Sequence, residues 1–322
     1  MTTIRHAHRG VTLVELMVGL AIGLIVSLAA SALYLATNET ARASKALGDI
    51  NETGKLALDT IGRELQKAGF YPAQYPSNTA TPNLMGAFFN GKDVAKPAFS
   101  SGLFGCDGAM YDPDTKACAA TVEGAPDGIV VNYFATPEFG ASALLGNSND
   151  CNRQPVANDP DNAARALAGM PLFVSNRYGL RNTEYDAADG NHVTTRSLAC
   201  HGNGADAADD HQPHYQGIED MTIRYGIYST TASQTPDLFL TATEVTAAGN
   251  VGDLTPWQRV TAVKICMLVR SLENARTEDK TGSERTYRDC RGADIKPASG
   301  DKFVYKRFER VYAIRNNLTG TL

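Results

Sequence analysis

The chain has 322 residues, 43% of them hydrophobic and 20% charged, which is material for one large or two modest domains with a real buried core. Its formal net charge of −5 becomes −7 if the first ten residues leave, because Arg5 and Arg9 go with them and 28 basic side chains then face 35 acidic ones. With no run of basic residues in the body to displace counterions from phosphates, this balance excludes a nucleic-acid surface of the usual basic kind.

Residues 1–10 form a short leader that holds Arg5, His6, His8 and Arg9 and ends at Gly10. From Leu16 to Asn38 no residue is charged, a stretch long enough to cross the hydrocarbon core of a bilayer as a helix, which takes about 20 residues. The positive-inside rule places the leader in the cytoplasm and everything after residue 38 on the far side of the membrane. A secretory signal would carry its small-residue cleavage site after the apolar core. Here the glycine comes first, and the helical pattern runs straight on.

Glu15 stands at the leading edge of that apolar run. An ionised carboxylate inside a membrane helix costs roughly 2–3 kcal/mol, less near the helix end, and such residues mark function and have a partner. No basic residue lies one turn away, so the partner must come from cleavage of the chain or from a neighbouring molecule. Gly19, Gly23, Ser27 and Ser31 recur every four residues. That spacing lets helices approach closely; it is equally the ordinary glycine and serine content of a membrane helix.

No proline occurs between Val11 and Tyr71, and Leu47, Ile50, Gly54, Leu58, Ile61 and Leu65 follow one another at intervals of three or four. This is an amphipathic stripe. It predicts that the membrane segment, residues 11–38, continues through residues 39–71 as one helix of about 55 residues. Gly48, Asp49, Asn51, Thr53 and Gly54 lower helix propensity midway. They allow either a bend or a tolerated weak spot.

From residue 72 to 322 the texture changes to Pro, Gly, Asn and Asp with short apolar bursts. "DGIVVNYFA" from 127 reads as a buried strand; "GIEDMTIRYGIYS" from 217 and "WQRVTAVKICMLVRS" from 257 alternate, with Ile223, Tyr225 and Ile227 on one side and Val263, Ile265, Met267 and Val269 inward. "FERVYAIRN" at 308–316 supplies a last strand. Strands without helical crossovers imply an antiparallel sheet, so the expected class is α+β with a long helix laid across one face. Residues 136–215 and 272–302 read as long loops, which are often functional surfaces and by default simple insertions.

Six cysteines lie beyond the apolar run, at Cys106, Cys118, Cys151, Cys200, Cys266 and Cys290. An even number so placed points to an oxidising compartment. Six cysteines admit many connectivities; the local ones, 106 with 118, 151 with 200 and 266 with 290, are the most natural, and Cys266 shares the outward phase of its strand with Lys264 and Arg270.

Catalytic chemistry has no visible constellation. "CHGNGADAADDHQPHYQ" gathers Cys200, His201, Asp206, Asp209, Asp210, His211 and His214 without the His-Glu-x-x-His or Cys-x-x-Cys spacing that fixes zinc geometry. The acidic residues Asp112, Asp114, Asp159 and Asp161 lack the ligand ladder and closing glutamate of a calcium loop. Lys280-Thr281-Gly282 precedes the nearest Ser-x-x-Lys, Ser299 to Lys302, rather than following it. Gly202-x-Gly204 has no strand before it and Ala207 in place of a third glycine. No enzyme, cofactor or metal is expected.

Gly10-Val11-Thr12-Leu13-Val14-Glu15, with a basic leader before it and an apolar helix after it, resembles the class III signal of type IV pilins and type II secretion pseudopilins. The resemblance implies a prepilin peptidase that cuts after Gly10 and N-methylates Val11, although Val11 departs from the commoner Phe or Met there. Glu15 then neutralises the new α-amino group of an adjacent subunit as it docks; the small-residue spacing offers Gly19, Gly23 and Ser27 for packing against neighbouring helices. "GRELQKAGFYPA", "DGIVVNYF", "GIEDMTIRYGI", "VTAVKICMLVRS" and "RVYAIRN" together resemble the PilW family of minor pilins. That implies a pilin-like fold and a low-abundance subunit that primes pilus assembly at the tip with other minor pilins, the major pilin and a tip adhesin. It would start as a single-pass inner-membrane protein with a periplasmic C-terminal domain. The leader and helix fit a type II secretion minor pseudopilin that contacts exported cargo equally well.

Overall fold

The computed structural model describes residues 12–70, 102–112, 115, 117–135, 149–158, 162–163, 171–186, 190, 192–204, 211–230, 233–252, 254–275, 286–298 and 300–316. Its first element is α1, Leu13–Lys67, one helix of 55 residues that passes unbroken through the Gly48–Gly54 weak spot. It ends where Gly69 turns into the left-handed region, φ 74°, and donates its N–H to the Asn132 carbonyl at 2.8 Å.

The remaining elements follow in chain order. Strands β1 Leu103–Cys106, β2 Tyr111–Asp112, β3 Ala117–Cys118, β4 Gly128–Ala135, β5 Leu172–Asp186, β6 His192–Gly202, β7 Gln212–Gln216, β8 Ile218–Ile227 and β9 Leu238–Leu240 precede a short helix, α2, Ala242–Ala247. Then come β10 Val260–Arg270, β11 Tyr287–Arg288, β12 Asp294–Ile295 and β13 Tyr305–Ala313. The strands form a five-stranded sheet, β1-β4-β5-β6-β7, a four-stranded sheet, β13-β10-β8-β9, and two small ribbons, β2-β3 and β11-β12. Every pairing is antiparallel. The class is α+β, with the inward residues Ile223, Tyr225, Val263, Ile265, Met267 and Val269 all buried.

Where the sequence reads as loop, the structure is more regular. The stretch 136–215 contains the long strands β5 and β6, and 272–302 contains β11 and β12. Polar residues that disguised β5 are buried against polar partners. Asn176 donates to Glu64 on α1 at 2.8 Å, and Arg177 lies 3.1 Å from the ring of His201 on β6. The last strand starts three residues earlier than its apolar pattern, because Tyr305 stacks on Tyr287 at 4.3 Å and pairs with Arg270.

Gly217 and Asp127 are two of the joints that hold the sheets together. Gly217, between β7 and β8, donates its N–H to Arg196 of the first sheet at 2.9 Å, and its carbonyl accepts from Arg270 of the second at 2.7 Å. Its φ is 81° and a Cβ would lie 2.7 Å from the Arg270 oxygen, so only glycine serves there. Asp127, buried at the foot of β4, accepts from Gly108 N–H and from Ile223 N–H on β8, each at 2.8 Å. Burial pushes its carboxyl above the usual range although both amides oppose that.

The C-terminal half of α1 packs against both sheets. Its buried stripe is Ala46, Ile50, Gly54, Ala57, Leu58, Ile61, Gly62 and Leu65. Leu47, expected in this stripe, is 43% exposed. The reason is close approach: β13 runs beside the helix with Phe308 against Gly54 and Tyr312 against Gly62, so small residues do the packing. On the other flank, Glu64 also takes a hydrogen bond from Lys67 at 2.5 Å, Lys67 lies over the Tyr133 ring, and Thr60 meets Tyr215 at 2.9 Å.

Two substitutions should separate packing from propensity. A Cβ on Gly62 would lie 2.3 Å from the Tyr312 ring, whereas nothing lies within 4 Å of one on Gly48. Gly48→Ala should stabilise the domain by up to about 1 kcal/mol, and Gly62→Ala should destabilise it by about 1–3 kcal/mol, read as opposite shifts in thermal midpoint. Asp127→Ala leaves two buried amides unpaired and should cost roughly 2–5 kcal/mol in denaturant unfolding.

Candidate functional site

The site begins at the first turn of α1. Thr12 is the N-cap, with extended backbone (φ −73°, ψ 150°), and its hydroxyl oxygen accepts from Glu15 N–H at 3.3 Å. Glu15 reaches back. One carboxylate oxygen accepts from Thr12 N–H at 3.2 Å and from the Thr12 hydroxyl at 3.1 Å. This is a capping box, which satisfies donors that the helix start would leave open and puts negative charge at the positive end of the helix dipole. The carboxylate that lacked a basic partner in the sequence is thus held by its own helix. The Thr-x-x-Glu spacing carried that information.

Above this turn, every large apolar side chain from Leu13 to Leu35 is more than half exposed, from Val18 at 51% to Leu13 at 77%. The segment is long and apolar enough to cross a membrane. Its hydroxyls are satisfied inside the helix. Ser27 donates to the Gly23 carbonyl and Ser31 to that of Ser27, both at 2.8 Å, while Thr37 and Thr40 do the same to Leu33 and Ala36. Such back-bonding is what a helix needs in hydrocarbon, where no water completes its polar groups. A Cβ on Gly19 or Gly23 would meet nothing within 4 Å, so this small-residue row is open to a partner helix. Gly10 and Val11 lie outside the described residues.

The comparisons with known proteins meet this geometry at both ends of the chain. The family described as Prokaryotic N-terminal methylation motif matches residues 5–31, and the family described as Type IV Pilus-assembly protein W matches residues 184–316. The likeness to the PilW family thus spans less than half of the chain. The second match runs from the end of β5 to just past β13, so it takes in the whole four-stranded sheet; the quoted segments around 62–73 and 127–134 lie outside it. No curated protein matches the chain. Among solved structures, a type IV-like pilin, TTHA1219 from Thermus thermophilus, aligns over 83% of this chain and 97% of its own, with 10% identity and a TM-score of 0.34.

The other candidate residues serve the fold. Cys106 is bonded to Cys118, Cys151 to Cys200 and Cys266 to Cys290. The first bridge clips β3 to the end of β1, the second ties residues 149–158 to β6, and the third pins residues 286–298 over the outer face of β10. Cys266 does occupy an outward position on β10, but the segment it anchors leaves it only 2% exposed.

The described histidines of the His and Asp cluster have separate surroundings. His201 is buried against Arg177, with its Nδ1 3.1 Å from Nη1, and the His211 ring lies 5.4 Å from that of His201. His214 Nε2 sits 2.9 Å from Asn152 Oδ1, and burial pulls its pKa down. Asp206, Asp209 and Asp210 lie outside the described residues, as do Asp114, Asp159, Asp161, Lys280, Thr281, Gly282 and Ser299. Among the described residues no group of three His, Cys, Asp or Glu side chains is placed to hold a metal ion.

Removing the cap should loosen the helix start without touching the domain. Thr12→Ala is expected to cost about 1 kcal/mol locally, a roughly fivefold faster hydrogen exchange at the Glu15 amide. Exchange read by mass spectrometry on the full chain in nanodiscs checks it, with the 55–65 segment of α1 unchanged.

Proposed function

We propose that this chain is a PilW-type minor pilin that primes type IV pilus assembly and forms part of the pilus tip complex. It is inserted once in the inner membrane with its domain in the periplasm, cut after Gly10 by a prepilin peptidase and methylated on Val11. The observation that carries the proposal is the upper half of α1: an exposed apolar helix whose single carboxylate is already capped, joined without a break to a folded, disulfide-tied domain. Such a surface leaves a bilayer only if its apolar area is buried elsewhere, and a bundle of like helices is the place that fits it.

Glu15 has two states in this scheme. In the bilayer it folds back on Thr12, which keeps the carboxylate satisfied at little expense. Once the leader is gone, a neighbouring subunit's new α-amino group offers a full positive charge, and the attraction between two opposite charges is added to a hydrogen bond of the kind that Thr12 already supplies. Gly19, Gly23 and Ser27 bring the partner helix close. The other minor pilins, the major pilin and a tip adhesin are the partners, with no cofactor.

The test is the amount of major pilin in sheared surface fractions from a strain lacking this chain, complemented by wild type or by Glu15→Ala. The proposal expects surface pili to collapse, wild type to restore them and Glu15→Ala to restore less than about a tenth, while the variant's domain melts as wild type. Pili that persist while protein secretion fails would assign the chain to a secretion system instead.

A further inference from the structure

The four-stranded sheet has a second face, turned away from α1. Toward one end of it the charges pair off, Arg270 with Glu219 at 3.2 Å and Arg291 with Asp220 at 2.6 Å. The other end is unbalanced. Lys264 on β10 stands directly opposite Arg224 on β8, and Lys264 shares Glu309 of β13 with Arg307. Two cations thus meet one carboxylate, whose pKa is held down by its hydrogen bonds to Lys264 and Arg307, and Arg224 stands beside them as a third. Arg224 is exposed and has no ion pair among the described residues. Like charges directly opposed on neighbouring strands weaken a sheet. Here they stand side by side in a chain whose net charge is −5.

Apolar side chains lie beside the cations. Val311, opposite Lys264 on the β13 side, is 54% exposed; in the adjoining row Phe239, opposite Gly226, is 45% exposed. A row of positive charge next to exposed Phe and Val is a mixed surface of the kind found at protein interfaces, where arginine and aromatic residues are enriched.

We infer that this end of the outer face is a docking surface for an acidic polypeptide segment of another subunit, one that carries an apolar side chain beside its carboxylates. Lipid phosphate does not fit. β13 runs alongside α1, with Lys306 at Asn51, Tyr312 at Leu58 and Asn316 at Ala68, so the face stands upright when the helix crosses a bilayer. Duplex DNA fits poorly as well, since its binding grows with the number of phosphates neutralised and this patch offers three cations against one carboxylate.

Only the source of the segment, another subunit, rests on the proposed pilin function; the binding itself does not require filaments. Full-length protein in phosphatidylcholine nanodiscs is titrated with a short fluorescent peptide alternating glutamate and leucine, with a glutamine–leucine peptide and a DNA duplex as comparators. The glutamate peptide should bind, weaken as salt rises, and lose about tenfold or more in affinity with Arg224→Glu or Lys264→Glu. Arg224→Gln should lose less and melt no lower than wild type, which separates binding from folding. Equal affinity for the two peptides, an affinity unchanged by Arg224→Glu, or tighter binding of the duplex that the same substitution abolishes would each overturn the inference. A strain that assembles pili normally with a protein that fails this test would sink the docking surface and leave the proposed function standing.

Discussion

The structure depends on one surface that the chain cannot bury by itself. Between Leu13 and Leu35 the large apolar side chains of α1 each stand more than half exposed. Covering them is worth on the order of 10–20 kcal/mol, as much as the net stability of a typical domain. That half of the helix therefore resides in hydrocarbon or against other helices, and the rest of the molecule has to tolerate both settings. The polar groups of the segment are arranged for this. Each serine and threonine hydroxyl from Ser27 to Thr40 is bonded one turn back, and Glu15 is bonded to Thr12.

The domain is bound to that helix with equal economy. Glycines at 54 and 62 let the aromatic rings of β13 reach the helix backbone, where the Tyr312 hydroxyl donates to the Leu58 carbonyl at 2.7 Å. Asn316 donates to the Gln66 and Ala68 carbonyls, closing the helix C-terminus with the last described residue of the chain. One end of the protein thus caps the element that the other end begins. Whatever holds the apolar half of α1 also holds the sheets, since no hinge interrupts the helix between them.

Much of this was legible in the sequence, and the failures have physical causes. The uncharged run, the missing prolines and the three-four periodicity gave a single long helix, because those signals are local. Strands β4, β8 and β10 were legible for the same reason: their buried faces are aliphatic. Strands β5 and β6 were hidden, because Asn176, Arg177, Ser197 and His201 look like loop residues until their cross-strand partners are known. Periodicity puts Leu47 in the stripe and passes over Ala46, Ala57 and Gly62, because it ranks residues by size whereas a close-packed helix buries small ones. At the site, the exposed carboxylate was found and its internal partner missed. The row formed by Arg224, Lys264 and Val311 comes from three strands far apart in sequence, and only register assembles it.

The most direct measurement is the intact mass of this protein in the inner-membrane fraction and in sheared surface filaments of the same cells. The account predicts that the filament form begins at a methylated Val11 and lacks residues 1–10, with all six cysteines oxidised. A protein confined to the membrane fraction with its leader still attached would contradict it.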